Sequence, residues 1–170
     1  DGSVSGSHAT GNVSGTQLVG GLIGELGHAY VSGGVGSGSV TNSYATGTVS
    51  ATQNFAGGLI GQSWGSVTYS YATGNVSGGD RVGGLIGVNE IFSYTANSDA
   101  TGNVTGTGAA GNEWIGGLAG VNAGTITLSY ATGNVFAPNS YYVGGLVGYN
   151  WCCRLGSHAE VSLSYATGNV

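Results

Sequence analysis

The phrase Ser129-Tyr130-Ala131-Thr132-Gly133-Asn134-Val135 recurs along this chain with small edits, and a recurring phrase constrains a fold more than any local propensity. It returns as HATGNV at 8–13, SYATGTV at 43–49, SYATGNV at 70–76, DATGNV at 99–104 and SYATGNV at 164–170. A second phrase, GGLxG, alternates with it at 20–24, 57–61, 83–87, 116–120 and 144–148. The alanine of each ATG falls at 9, 45, 72, 100, 131 and 166, so the period drifts while the phrase holds. One phrase at a drifting spacing predicts stacked repeats that begin near those six positions and occupy residues 1–170 as one solenoid.

Helix is excluded by composition: glycine holds 37 of 170 positions and costs about 1 kcal/mol at each helical site. Val, Thr, Ile and Tyr favour a pleated, half-buried surface instead. Each unit reads as three short strand-like pieces, around ATGNV, around VGGLIGxN and before the next SYATG. The third is exemplified by residues 65–69 and 124–128. The fold expected is all-β, a β-solenoid of about five to six short coils with loop insertions. Each strand pairs with its copy in the next coil at about 4.8 Å. Strand alternation puts Ala, Gly and Val of ATGNV on one face and Thr and Asn on the other.

The expected ladders are Leu22, Leu59, Leu85, Leu118 and Leu146 in a narrow core, and Thr10, Thr46, Thr73, Thr101, Thr132 and Thr167 outside. Beside the threonines runs Asn12, Asn75, Asn103, Asn134 and Asn169, with Thr48 as its exception. Stacked amides are expected to bond along the axis there. Insertions at 25–42, 105–115, 136–142 and 149–163 carry Tyr30, Trp114, Tyr141, Tyr142, Tyr149 and Trp151. Aromatics on loops suit stacking against sugars or contact with another protein; they equally suit covering of strand edges.

At this point the alternation of VGGLIGxN with SYATGNVSG resembles the GLUG-motif repeats of large secreted or surface-anchored bacterial and archaeal proteins. These include adhesin-like proteins and non-catalytic parts of some immunoglobulin A peptidases. The resemblance implies an extracellular or cell-surface repeat region serving as spacer, scaffold or adhesive surface, and it brings no catalytic residue. The insertions at 25–42 and 149–163 and the adjacent Cys152 and Cys153 depart from the short consensus.

Most chemistry is absent from the pattern. Charged residues are 5% of the chain, Lys is missing, and a net charge of −5 with two arginines lacks the basic footprint of a nucleic-acid binder. No apolar run reaches the ~20 residues of a membrane helix. The two cysteines cannot close a useful loop, and only His158 stands near as a further metal ligand. Residues 61–65 match GxSxG and 106–111 match GxGxxG, but both motifs need a helix that nothing supplies. The seven carboxylates and three histidines form no motif, so no enzyme, cofactor or metal is expected. Asn12, Asn75 and Asn103 lie in N-x-S/T sequons and are candidate glycosylation sites, although the repeat itself creates the pattern.

The leading expectation is therefore an extracellular structural or adhesive solenoid. The chain opens and closes inside its repeat phrase with no evident polar cap, which suits stacking end to end along the axis into filaments. The alternatives are binding of ice through the Thr and Asn columns, or of carbohydrate or surface proteins through the aromatic loops.

Overall fold

The computed structural model describes residues 2–28, 38–108, 111–151 and 158–170. These form an all-β solenoid, in which short strands stack in parallel into five sheets along the axis. Every pairing joins a strand to its counterpart one coil away, so neither phrase pairs within its own unit. The repeat alanines Ala9, Ala45, Ala72, Ala100, Ala131 and Ala166 stand side by side in one sheet.

Each of the first five coils holds five strands rather than three, and the sixth contributes two among the described residues. In the coil nearest the middle they are Ser66–Thr68, Tyr71–Ala72, Val76–Gly78, Asp80–Gly83 and Ile86–Asn89. The ATGNV piece splits at its Thr-Gly-Asn, and the GGLIG piece splits at its Gly-Leu. The inside-outside alternation of Ala72-Thr73-Gly74-Asn75-Val76 runs through the first split without a break. A periodicity reading therefore merges two strands into one.

Corners follow from local chemistry. The residue before the serine that opens each phrase adopts a left-handed backbone at Gly6, Asn42, Tyr69, Asn97, Leu128 and Leu163, with φ between 49° and 57°. Gly and Asn reach that region easily, while Leu and Tyr there cost about 1 kcal/mol or more. The following serine compensates. Ser43, Ser70, Ser98 and Ser129 are buried, and each hydroxyl donates to the carbonyl two residues back at 2.7–2.8 Å. The same oxygen accepts the serine N–H of the preceding coil at 3.1–3.2 Å in Ser7, Ser43, Ser70 and Ser98. The serine of SYATG is thus the corner post of the coil, with both its donor and its acceptor satisfied.

Two thin cores run the length of the rod. One collects Val40, Val67 and Ile126 with Ala45, Ala72, Ala100 and Ala131, and with Leu59, Leu85, Leu118, Ile60 and Ile86. The other collects Val49, Val76, Val104 and Val135 with Val19, Ala56, Val82 and Ile115. Leu22 and Leu146 pack against the first core from partly buried positions. At the waist between the cores the GG pair of one phrase meets the alanine of the other. A methyl on Gly58 would lie 2.8 Å from the Ala72 Cβ and 2.1 Å from the Gly84 carbonyl oxygen. Small residues at both positions are one packing requirement seen from two sides.

Candidate aromatic groove

Three polar columns line the rod, and they differ in what they bond. The threonines of ATG are exposed on the outer face. The neighbouring asparagines are exposed too, but their amides do not stack on one another. The Oδ1 atoms of Asn12, Asn75, Asn103 and Asn134 instead accept the backbone N–H of the counterpart residue one coil on, at 2.9–3.0 Å. The expected amide ladder is corrected on this point: with side chains directed outward, the carbonyl oxygen reaches an otherwise unpaired backbone donor first. Asn12, Asn75 and Asn103 keep an exposed position compatible with modification.

The amide ladder exists elsewhere. Asn89 donates through Nδ2 to Asn122 Oδ1, and Asn122 donates to Asn150 Oδ1, both at 2.8 Å. Asn89 and Asn122 are fully buried, and Ser93 and Thr95 hydroxyls complete the partners of Asn89 Oδ1 at 2.9 and 3.0 Å. Asn122 also donates to the Gly124 carbonyl at 3.1 Å. The last residue of VGGLIGxN is Asn in three of the five copies, and an Asn there reads as a turn residue unless burial is known.

Among the described residues the aromatic side chains form a constellation with the character of a binding site. Trp114 lies in the strand Gly111–Gly116, Tyr141 and Tyr142 in Ser140–Gly144, Tyr149 in Val147–Asn150, and Trp151 directly after it. Their expected place on loops is therefore corrected. Trp114, Tyr141, Tyr142 and Tyr149 stand on strands, where ladder pairing fixes their spacing, and Trp151 follows the last of them. Trp114 and Tyr149 stack at 5.6 Å with ring planes 13° apart, and Tyr149 and Trp151 at 6.1 Å and 19°. Tyr142 leans on both Trp114 and Tyr149, at 6.4 and 5.4 Å. Tyr141 points away from this cluster and is 72% exposed. Tyr30, Cys152 and Cys153 lie outside the described residues.

Sequence reading missed the rest of the site. Arg81 lies over the Phe55 ring at 4.8 Å and over the Trp114 ring at 4.5 Å. Phe55, Arg81, Trp114 and Tyr149 thus continue one stack across four successive coils. Asp80 holds Arg81 by an ion pair at 3.1 Å, and its carboxylate also accepts the Trp114 backbone N–H. Burial nevertheless pushes Asp80 above the usual carboxylate range, against the opposing pull of Arg81. Asp80 Oδ1 and Trp114 Nε1 are the buried side-chain atoms left without a partner among the described residues. Unsatisfied atoms of this kind cost about 1–3 kcal/mol each and concentrate where a surface serves something besides stability.

These side chains enclose a groove of about 540 Å³. Its floor is Val88, Val121 and Ala123, and its walls are Phe55, Arg81, Trp114, Glu90, Tyr149 and Trp151. The concavity has a structural cause. A methyl on Gly87 would lie 2.9 Å from the Arg81 carbonyl oxygen, and one on Gly120 would lie 2.6 Å from the Val82 nitrogen. The final glycine of GGLxG thus lets the strand of Arg81 and the strand of Val88 meet at a sharp inner angle. Glu90 sits at one end, its carboxylate bonded by Gln62 Nε2 at 2.5 Å. Burial raises its pKa, with Gln62 and Arg81 opposing.

The chance motifs dissolve in this geometry. Ser63 of GxSxG is buried in the strand Ile60–Ser63, with its hydroxyl turned to Gly65. The GxGxxG stretch runs from the end of one strand to the start of another, with Ala109 and Ala110 outside the described residues. Among the described residues no cluster of three or more His, Cys, Asp or Glu could hold a metal ion. Among the described residues no helix is long and apolar enough to cross a membrane.

Residues 56–77, which run from one GGLIG through the next SYATGNV, match the family model of the GLUG motif. No curated protein and no solved structure matches the chain. Residues 56–77 thus carry a GLUG motif, and the register of that unit is repeated coil after coil through the β-solenoid.

Proposed function

We propose that this solenoid is a structural and adhesive segment of an extracellular, surface-attached protein, acting by contact and not by turnover. One observation carries the reading. A stack of Phe55, Arg81, Trp114 and Tyr149 is assembled from four coils onto a backbone ladder that holds it rigid. Rigid aromatic side chains present large contact area at small entropic cost, and residues of this type dominate binding energy where they cluster. The low charge and the short, fully laddered strands suit a stiff spacer that carries this groove outward. Stacking along the axis, through the strand pairing that joins neighbouring coils, belongs to the same reading.

Force spectroscopy tests it. A probe coated with the chain is pressed against cells or their extracellular matrix and withdrawn. The native chain is expected to give rupture events that the Trp114→Ala, Trp151→Ala double variant loses, with the β-sheet circular dichroism of both unchanged. Equal rupture from both would remove the groove as the contact surface.

A further inference from the structure

The groove already described has a chemistry more specific than apolar contact. Its floor is aliphatic and its walls are aromatic, while its polar groups are planar and fixed in place. Gln62 is bonded to Glu90, and Arg81 is held between two rings and paired to Asp80. Charge leans negative: one guanidinium, that of Arg81, faces two carboxylates, those of Asp80 and Glu90. An anionic ligand would meet Glu90 without a free cation to offset it. A nucleic acid strand would meet the same obstacle on a chain of net charge −5, despite the stacking platforms.

An extended peptide is disfavoured for a different reason. Peptides that bind β-proteins usually add a strand to an open edge. Here the groove strands Asp80–Gly83, Ile86–Asn89, Gly111–Gly116 and Ala119–Asn122 all have a paired neighbour on each side along the axis. Their backbone groups are committed to the ladder; Val147–Asn150, which carries Tyr149, ends its sheet with one neighbour, but its open edge faces along the axis, so the groove itself offers side chains.

What remains is a neutral molecule with apolar faces and a rim of hydroxyls, which is the chemistry of a pyranose chain. Its C–H faces suit Trp and Tyr rings, and its hydroxyls suit a carboxylate, an amide and a guanidinium. We propose that the groove between Arg81, Glu90, Trp114, Tyr149 and Trp151 binds a neutral oligosaccharide. The groove volume of about 540 Å³ lies within the usual range for ligand sites. Trp151, 46% exposed at the end of the stack, offers the ring that an incoming sugar meets first. Glu90, raised in pKa by burial, accepts from Gln62 and the Ile91 backbone, and sugar hydroxyls can donate to its remaining lone pairs. This assignment rests on the groove being the adhesive contact surface.

The test is an array of neutral and anionic glycans probed with the intact chain, followed by calorimetric titration of the best neutral oligosaccharide and of a proline-rich decapeptide. Neutral glycans are expected to bind, with affinity reduced at least about tenfold in Trp151→Ala and restored in Trp151→Phe. Glu90→Gln is expected to weaken binding while leaving the fold intact. No neutral glycan bound, binding untouched by Trp151→Ala, or tighter binding of the peptide or of anionic glycans would each overturn the proposal. Adhesion measured in excess free oligosaccharide separates the two levels. Adhesion lost in the Trp114→Ala, Trp151→Ala variant but undiminished by sugar sinks only the ligand assignment. Adhesion undiminished by both sinks the contact-surface reading itself.

Discussion

A single methyl group separates two kinds of glycine in this chain. At Gly11 an added Cβ would meet nothing within 4 Å, whereas at Gly120 it would stand 2.6 Å from the Val82 nitrogen and 2.7 Å from the Arg81 carbonyl carbon. Those atoms are backbone and cannot rotate away. Gly120→Ala is therefore expected to lower stability by about 1–3 kcal/mol or more, as overpacking does. Gly11→Ala should stay within about 0.5 kcal/mol of the native chain. Urea unfolding followed by circular dichroism checks both, and equal midpoints would contradict this account of the inner corner. The sequence marks both residues with the same letter, and only the packing tells which one is structural.

Among the columns, the outer face of the Tyr-Ala strands shows how a repeat tolerates variation. His8, Tyr44 and Tyr71 stack at 5.0 and 4.9 Å, and Tyr130 and Tyr165 at 5.3 Å. Asp99 sits between the two runs, paired with Tyr71 and Tyr130 in register. Burial raises the Asp99 pKa in spite of a hydrogen bond from Tyr130, and the Asp99 charge in turn raises Tyr130. Asp99→Tyr would exchange a partly desolvated carboxylate for two ring contacts, each worth about 0.5–1.5 kcal/mol. A net gain of about 1 kcal/mol in denaturant unfolding is expected, and a loss would mean that the Asp99–Tyr130 bond outweighs stacking. The alignment of the repeat alanines was legible in sequence, because it needs only phase and periodicity; the stacking of this column was not read from it. Nor was the fivefold division of the coil. Its corners at Tyr69, Leu128 and Leu163 carry no local turn signal, and they are held by a serine hydroxyl whose partner lies a whole coil away. Arg81, Glu90 and Phe55 escaped for the same reason: residues 26 to 33 positions apart become neighbours only after stacking.

At the scale of the whole molecule, the scarcity of charge sets an unusual pH response. Asp80, Glu90 and Asp99 are all raised by burial above ordinary values of 3.8, 4.5 and 3.8. The folded chain therefore keeps protons that the unfolded chain has already released. Their contribution to stability is fully present below the ordinary values and is lost as pH rises through the folded ones. The melting temperature is expected to increase on acidification from pH 7 towards pH 4, the reverse of common acid denaturation. Only 2 arginines and 3 histidines are available to build up repulsive positive charge along the way. Calorimetry across that range checks it, and a steady fall of the melting temperature below pH 6 would contradict it.

The buried amide ladder has a consequence for how such a chain finds its own alignment. Coils of nearly identical phrase can slip past one another by a full repeat and still bring Val to Val, Ala to Ala and Leu to Leu. The position that ends the GGLxG strand breaks this degeneracy, because it reads Leu26, Ser63, Asn89, Asn122 and Asn150 in successive coils. A slipped chain would seat an aliphatic side chain beneath a buried amide and strand a donor at about 1–3 kcal/mol. Like a lone asparagine that sets the alignment of a coiled coil, this column works as a notch. It lets a repetitive chain count its own turns.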